Sequence, residues 1–151
     1  MVVHQPLSLV MRSQYRNAPE PMRIVSGVYG RQRIDYEAPP AARVYEEMAR
    51  LLDWYNQTHP LTAKPGEVIP GPVRAAIAHA WFELIHPFDD GNGRVGRAIA
   101  DHTLSQSLGY PTLACLATAI ERHRRRYYDA LQQISRGSLD LNAWIAFFTD
   151  E

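Results

Sequence analysis

The stretch His86-Pro87-Phe88-Asp89-Asp90-Gly91-Asn92-Gly93-Arg94-Val95-Gly96-Arg97 constrains the fold more than any other part of the chain. Upstream of it, Val73, Ile77, Ala80, Trp81 and Leu84 recur at helical spacing, behind Pro72 at a position that a first helical turn tolerates. Pro87 disfavours helical geometry in the residue before it, so this helix stops at His86. Asp89 to Gly93 is a tight polar turn. A second helix opens from it, with Ile99, Thr103, Leu104 and Leu108 inward and Gly109 as its stop.

The remaining segments fit around this pair. Val44, Met48, Leu51, Leu52 and Tyr55 place an apolar face on a helix that begins at Ala41. Asn56 to Gly71 holds three prolines and two glycines and is expected to be loop. Thr118 to Arg136 predicts one further helix, closed by Gly137. Asp140 is placed to cap a last short helix that buries Trp144, Ile145 and Phe148. Before all of these, Met22 to Tyr36 is β-rich and broken by Gly27 and Gly30, the pattern of a small hairpin. The expectation is a mostly α fold with one small β-hairpin, in a single domain over residues 1–151.

Composition excludes several function classes. The formal net charge is +0, which gives no global attraction to nucleic acid or an anionic membrane, so any anion site must be local. No apolar run approaches the roughly 20 residues that span a bilayer, and Pro6 to Met11 is too short and too interrupted for a signal peptide. The one cysteine, Cys115, excludes an intrachain disulfide and is expected to be a small buried residue. A cytoplasmic location is expected, with a secreted effector as the alternative. Arg122 to Arg126 is expected to be a solvated helix face.

The chemistry concentrates in the stretch from His86 to Arg97. Gly91 and Gly93 let successive backbone N–H groups point one way, and the start of the second helix adds unpaired donors and partial positive charge. Phosphate suits such a site. Arg94 and Arg97, three apart, are expected to share a helix face and reach one polyphosphate. Asp90 is a hard oxygen ligand of the kind Mg²⁺ uses. His86 has the ordinary pKa of a general base. With no serine or cysteine in the stretch, the nucleophile is expected to be a hydroxyl brought by the acceptor. Gly91 to Gly96 also satisfies G-x-G-x-x-G, but a helix precedes it where a dinucleotide fold needs a strand. His79 and His86, seven apart, lack a chelating step. His4, His59, His79, His102 and His123 are expected to be structural or exposed.

The stretch matches His-x-Phe-x-(Asp/Glu)-Gly-Asn-Gly-Arg-x-x-Arg, the signature of the Fic family, at every specified position. Val25-Ser26-Gly27 and Tyr36-Glu37-Ala38-Pro39-Pro40 resemble that family's flap and following proline stretch. Arg126 to Leu131 and Gly137 to Trp144 resemble its later helices. The resemblance implies a Fic fold that transfers AMP from ATP, with Mg²⁺, to a Tyr, Thr or Ser hydroxyl of a target protein. His86 would be the base, Phe88 the anchor of the loop and Asp90 the Mg²⁺ ligand. Gly91, Asn92, Gly93, Arg94, Gly96 and Arg97 would bind the nucleotide, with Tyr127 and Tyr128 near adenine. The flap near Ile24 to Ile34 would dock the target by strand addition. From spacing alone, Asp101, four residues after Arg97, is expected to pair with it. The alternatives are another nucleotide donor, transfer of the terminal phosphate, or an idle binding module. The family's inhibitory pattern, (Ser/Thr)-x-x-x-Glu-(Gly/Asn), does not occur in the chain. An inhibitory helix is therefore expected from a missing segment or a separate antitoxin-like chain, unless the chain is a natural short form.

Overall fold

A computed structural model describes residues 14–26, 33–112, 116–135 and 140–150. Gly27 and Gly30 at the expected hairpin apex, and Cys115 and Gly137, lie outside these residues. Two short strands, β1 (Arg23–Ser26) and β2 (Arg33–Glu37), pair antiparallel, with a bulge between Ile24 and Val25. Six helices follow among the described residues: α1 (Ala41–Gln57), α2 (Gly71–Ile85), α3 (Asn92–Leu108), α4 (Leu116–Arg122), α5 (Arg124–Gln133) and α6 (Asn142–Asp150).

The core forms on both sides of α2. On one side Ala78, Phe82 and Ile85 meet Val44, Met48, Leu51 and Tyr55 of α1, together with Phe88 and Ile99. On the other, Ala75, Ala76 and Ala80 meet Tyr127, Trp144, Phe147 and Phe148. Each large apolar side chain so buried contributes about 1.5–3 kcal/mol. Because neighbours cover so much of α2, Arg74, His79 and Glu83 are buried on it as well. A central helix of this kind shows no clean amphipathic period. Hence, of the expected stripe, Ala80 is buried but Val73, Ile77, Trp81 and Leu84 are only half-buried, and the last three of these line an apolar cleft of about 370 Å³ with Tyr36, Pro39 and Leu141.

Arg74 is satisfied without a carboxylate. Its guanidinium donates to Thr58 Oγ1 at 2.9 Å, Gln106 Oε1 at 2.8 Å and the Tyr55 carbonyl at 2.6 Å, and lies 4.3 Å from the Tyr55 ring centre. One side chain thereby ties α1 to α2 and α3. Asp140 accepts from the Asn142 N–H at 2.9 Å, at the first residue of α6, and so stands one position before the N-cap rather than at it.

Two expectations fail locally. Thr118 to Arg136 does not form one helix. It breaks at His123, inside a run of four arginines whose like charges sit three and four apart and weaken helix. Leu108 is 49% exposed rather than inward, because the last turn of α3 meets the start of α2 through Ser107 instead.

That meeting is close. A Cβ on Gly71 would lie 2.7 Å from Ser107 Cβ, and one on Gly96, toward the other end of the helix pair, would lie 2.5 Å from Glu83 Oε1. Two glycines therefore set the α2–α3 spacing. Gly71→Ala should destabilise the fold by about 1–2 kcal/mol, since overpacking outweighs the gain in helix propensity. Adding the change to a Ser107→Gly background should cost much less, and urea unfolding of the four variants in the cycle measures the difference.

Candidate functional site

The site forms where α2 hands over to α3. His86 ends α2 in the left-handed region at φ 49°, ψ 60°, unusual for a residue with a side chain. Its own N–H still donates to the Phe82 carbonyl at 3.0 Å. Arg16, in the segment before β1, is 4% exposed and holds this turn in place. Its Nε donates to the His86 carbonyl at 2.8 Å, and its backbone N–H donates to the Pro87 carbonyl at 2.9 Å. The guanidinium also donates to the Pro39 carbonyl, just past β2, which joins the hairpin's exit to the histidine turn. Tyr36 adds a second tie, its hydroxyl donating to the Leu84 carbonyl at 2.8 Å.

The turn is closed by its own side chains. Asn92 is buried; its Nδ2 donates to the Phe88 carbonyl at 2.7 Å, and its Oδ1 accepts from the Phe88 N–H at 3.0 Å. The Asn92 side chain is thus committed to the loop, and what it can offer an anion is its backbone N–H. Phe88 is buried against Phe82 and Tyr15, with ring centres 6.2 and 5.8 Å away. Gly91, at φ 86°, is the N-cap of α3, and no side chain caps that end. The first N–H groups of a 17-residue helix therefore face the loop with their partial positive charge.

The two arginines take different places. Arg94 lies out over the turn, its side chain 76% exposed and its Nη2 3.4 Å from Asp90 Oδ2. Such an exposed pair contributes little stability and yields readily to a ligand. Arg97 is half-buried against α2, close to Glu83. Asp101 does not close the expected hydrogen bond with it through Oδ1, which is buried and unpartnered, although Arg97 partly offsets the rise that burial imposes on its carboxyl pKa. Gly96 faces α2 rather than the loop, packed on Glu83 and His79. Tyr127 is buried with its hydroxyl 2.9 Å from His79 Nε2, whereas Tyr128 is 52% exposed beneath Arg124.

His86 is half-buried, and burial lowers its pKa below 6.5, with the Glu83 backbone opposing and Arg16 adding to the fall. The imidazole is therefore neutral near pH 7, the form that accepts a proton. Its Nδ1 is buried and unpartnered. Asp90 Oδ1 accepts from the Gly91 N–H at 2.7 Å, while the side chain stays 93% exposed. Among the described residues no three His, Cys, Asp or Glu side chains are grouped to hold a metal. An ion at Asp90 would need phosphate oxygens and water for most of its shell, which Mg²⁺ accepts.

Residues 3–104 match the model of the Fic/DOC family, and the chain belongs to that family. It is similar to the protein adenylyltransferase Fic of Culex quinquefasciatus, 41% identical over 104 residues, covering 68% of this chain and 18% of that protein. It is also similar to protein adenylyltransferase fic-1 of Caenorhabditis elegans, 35% identical over 96 residues and covering 64% and 17%. The chain thus spans under a fifth of these relatives. Among solved structures, a Fic family protein from Desulfovibrio desulfuricans G20 superposes with a TM-score of 0.70 at 30% identity, covering 95% of this chain and 41% of that one. The architecture is the Fic fold. No helix among the described residues is long and apolar enough to cross a membrane.

Sequence reasoning missed Arg16 and Glu83. Arg16 is one of several scattered arginines, and nothing local marks it. Glu83 carries a faint signal, an acid on the helix that ends in His86. Replacing Arg16 with Ala removes charge-assisted bonds and leaves buried carbonyls unpaired, at a cost of about 3 kcal/mol. Arg16→Lys should recover less than half of this, because an ammonium lacks the fork that spans separate carbonyls. Denaturant unfolding of both variants tests this.

Proposed function

We propose that this chain is a protein adenylyltransferase that moves AMP from ATP to a hydroxyl of a target protein. The observation that carries it is one arrangement: a neutral half-buried histidine at the end of α2, followed directly by the uncapped start of α3 and two arginines. The acceptor hydroxyl attacks the α-phosphorus, its proton passes to His86, and the bond to the leaving pyrophosphate breaks. Backbone N–H groups of Asn92 and Gly93, with Arg94 and Arg97, stabilise the charge that builds on the phosphates. Mg²⁺, held at Asp90, would neutralise phosphate charge. The antiparallel pairing of β1 (Arg23–Ser26) with β2 (Arg33–Glu37) supports a flap that takes a target segment by strand addition. The names of the adenylyltransferase relatives support the donor, as does a helix terminus suited to polyphosphate. Regulation by a glutamate supplied from outside these residues suits a chain in which Glu67 and Glu121 are both exposed and neither is bonded to Arg97.

Incubation with α-labelled and γ-labelled ATP in separate tubes tests the reaction class. Protein labelling by the α-label alone is expected. Labelling by the γ-label alone would mean phosphate transfer, and no label would point to a binding module. His86→Ala should cut transfer by about 10²–10⁴-fold and leave ATP binding close to wild type. Because the imidazole pKa lies below 6.5, transfer at saturating ATP and Mg²⁺ should be flat above neutrality and fall only as acid protonates the base. A pH–rate profile checks this. Asp90→Ala should weaken Mg²⁺-dependent ATP binding in calorimetry, and Asp89→Ala much less.

A further inference from the structure

Behind the phosphate-facing surface lies a buried polar group that the reaction above does not use. Glu83 is 7% exposed, and its Oε1 accepts no hydrogen bond. The carboxyl lies under the first turn of α3: a Cβ on Gly93 would be 4.0 Å from Glu83 Oε1 and 3.3 Å from Arg97 Nη1. Carboxyl and guanidinium therefore converge on one point from opposite helices, without a closed ion pair at Oε1.

The other titratable groups facing Glu83 leave Arg97 as its cation. On α2, His79 is pushed down to about 4 by complete burial and stays neutral, and the His86 imidazole is also lowered by burial. On α3, Asp101 stands one turn beyond Arg97 and is electrostatically coupled to it. On α5, Tyr127 is raised by burial and then by Glu83, and its hydroxyl meets His79. Burial pushes the Glu83 carboxyl up to about 7, with Arg97 opposing the rise. A buried carboxylate with an empty acceptor is costly, so on losing its proton it draws on Arg97, the cation whose charge already acts on it.

We propose that Glu83 is a positioning residue for Arg97: protonated, it leaves the guanidinium to the outer phosphate of the nucleotide, and ionised, it draws the guanidinium back toward α2. The inference rests on the nucleotide reading of the loop. It makes Glu83 an internal competitor for the phosphate, set by pH rather than by a second chain. The proton exchanges with solvent, and no covalent step is involved.

The test is calorimetric binding of ATP with saturating Mg²⁺ at about pH 6 and about pH 8, for wild type, Glu83→Gln and Arg97→Ala. Ionisation of the terminal phosphate is common to all three and cancels in their ratios. Between these pH values wild type should lose about tenfold in affinity relative to Glu83→Gln, the size of one charge-assisted contact. Arg97→Ala should bind weakly and show little of the pH response, because Glu83 without that cation keeps its proton to higher pH. Parallel pH responses in wild type and Glu83→Gln overturn the inference while leaving the nucleotide site intact. Absence of ATP binding by wild type at both pH values overturns the proposed function, and this inference with it. If Glu83→Gln does not fold, an equal pH response in wild type and Arg97→Ala overturns the inference on its own.

Discussion

The close approach of α2 and α3 is the constraint on which the rest of the structure depends. A Cβ on Gly71 would collide with Ser107, and one on Gly96 would collide with Glu83 and the His79 ring. At that distance the connection between the helices has to be short and self-bonded. Asn92 closes it by gripping both polar groups of the Phe88 backbone, and Phe88 in turn enters the core. The histidine that ends one helix and the open N–H groups that begin the next are thereby fixed relative to each other. Pre-organisation of this kind lets donors stabilise developing charge without rearranging during reaction.

The same packing creates the polar layer beneath the loop. Side chains on α2 that face α3 have little room and no solvent, yet they include His79 and Glu83. His79 finds Tyr127 and stacks 5.4 Å from Trp144, so it behaves as a core aromatic with one hydrogen bond. Glu83 finds no such partner for Oε1 and remains responsive to Arg97. Arg16 works from the other side, fixing the histidine turn through backbone carbonyls alone. The loop is therefore held in front by its own amide, behind by α2 and at the edge by an arginine from outside the helical hairpin.

The comparison of Arg94 with Arg97 shows how far a motif can be carried into three dimensions. Their spacing predicts a shared face, and both do start from the first turns of α3. Yet Arg94 lies 76% exposed over Asp90, whereas Arg97 turns toward Glu83. Tyr127 and Tyr128 diverge in the same way, one buried on His79 and the other at the surface. Neighbouring positions on a helix point in different directions, and what each side chain meets depends on elements remote in sequence.

By itself the sequence determined the local features. Pro87 and the glycines placed the turn, periodic apolar residues marked α1 and the Trp144 helix, and His86 to Arg97 identified the family before any geometry was known. These features depend on backbone sterics and short-range spacing, which are written in consecutive residues. Only the tertiary structure decided which side of α2 is buried, that Gly96 serves helix packing, and that Arg16 and Glu83 stand guard on the site from 70 residues and 3 residues away from His86. A helix covered on several sides has no polar face to betray its orientation. A buried charge is indistinguishable in sequence from a solvated one until the elements that desolvate it are in place.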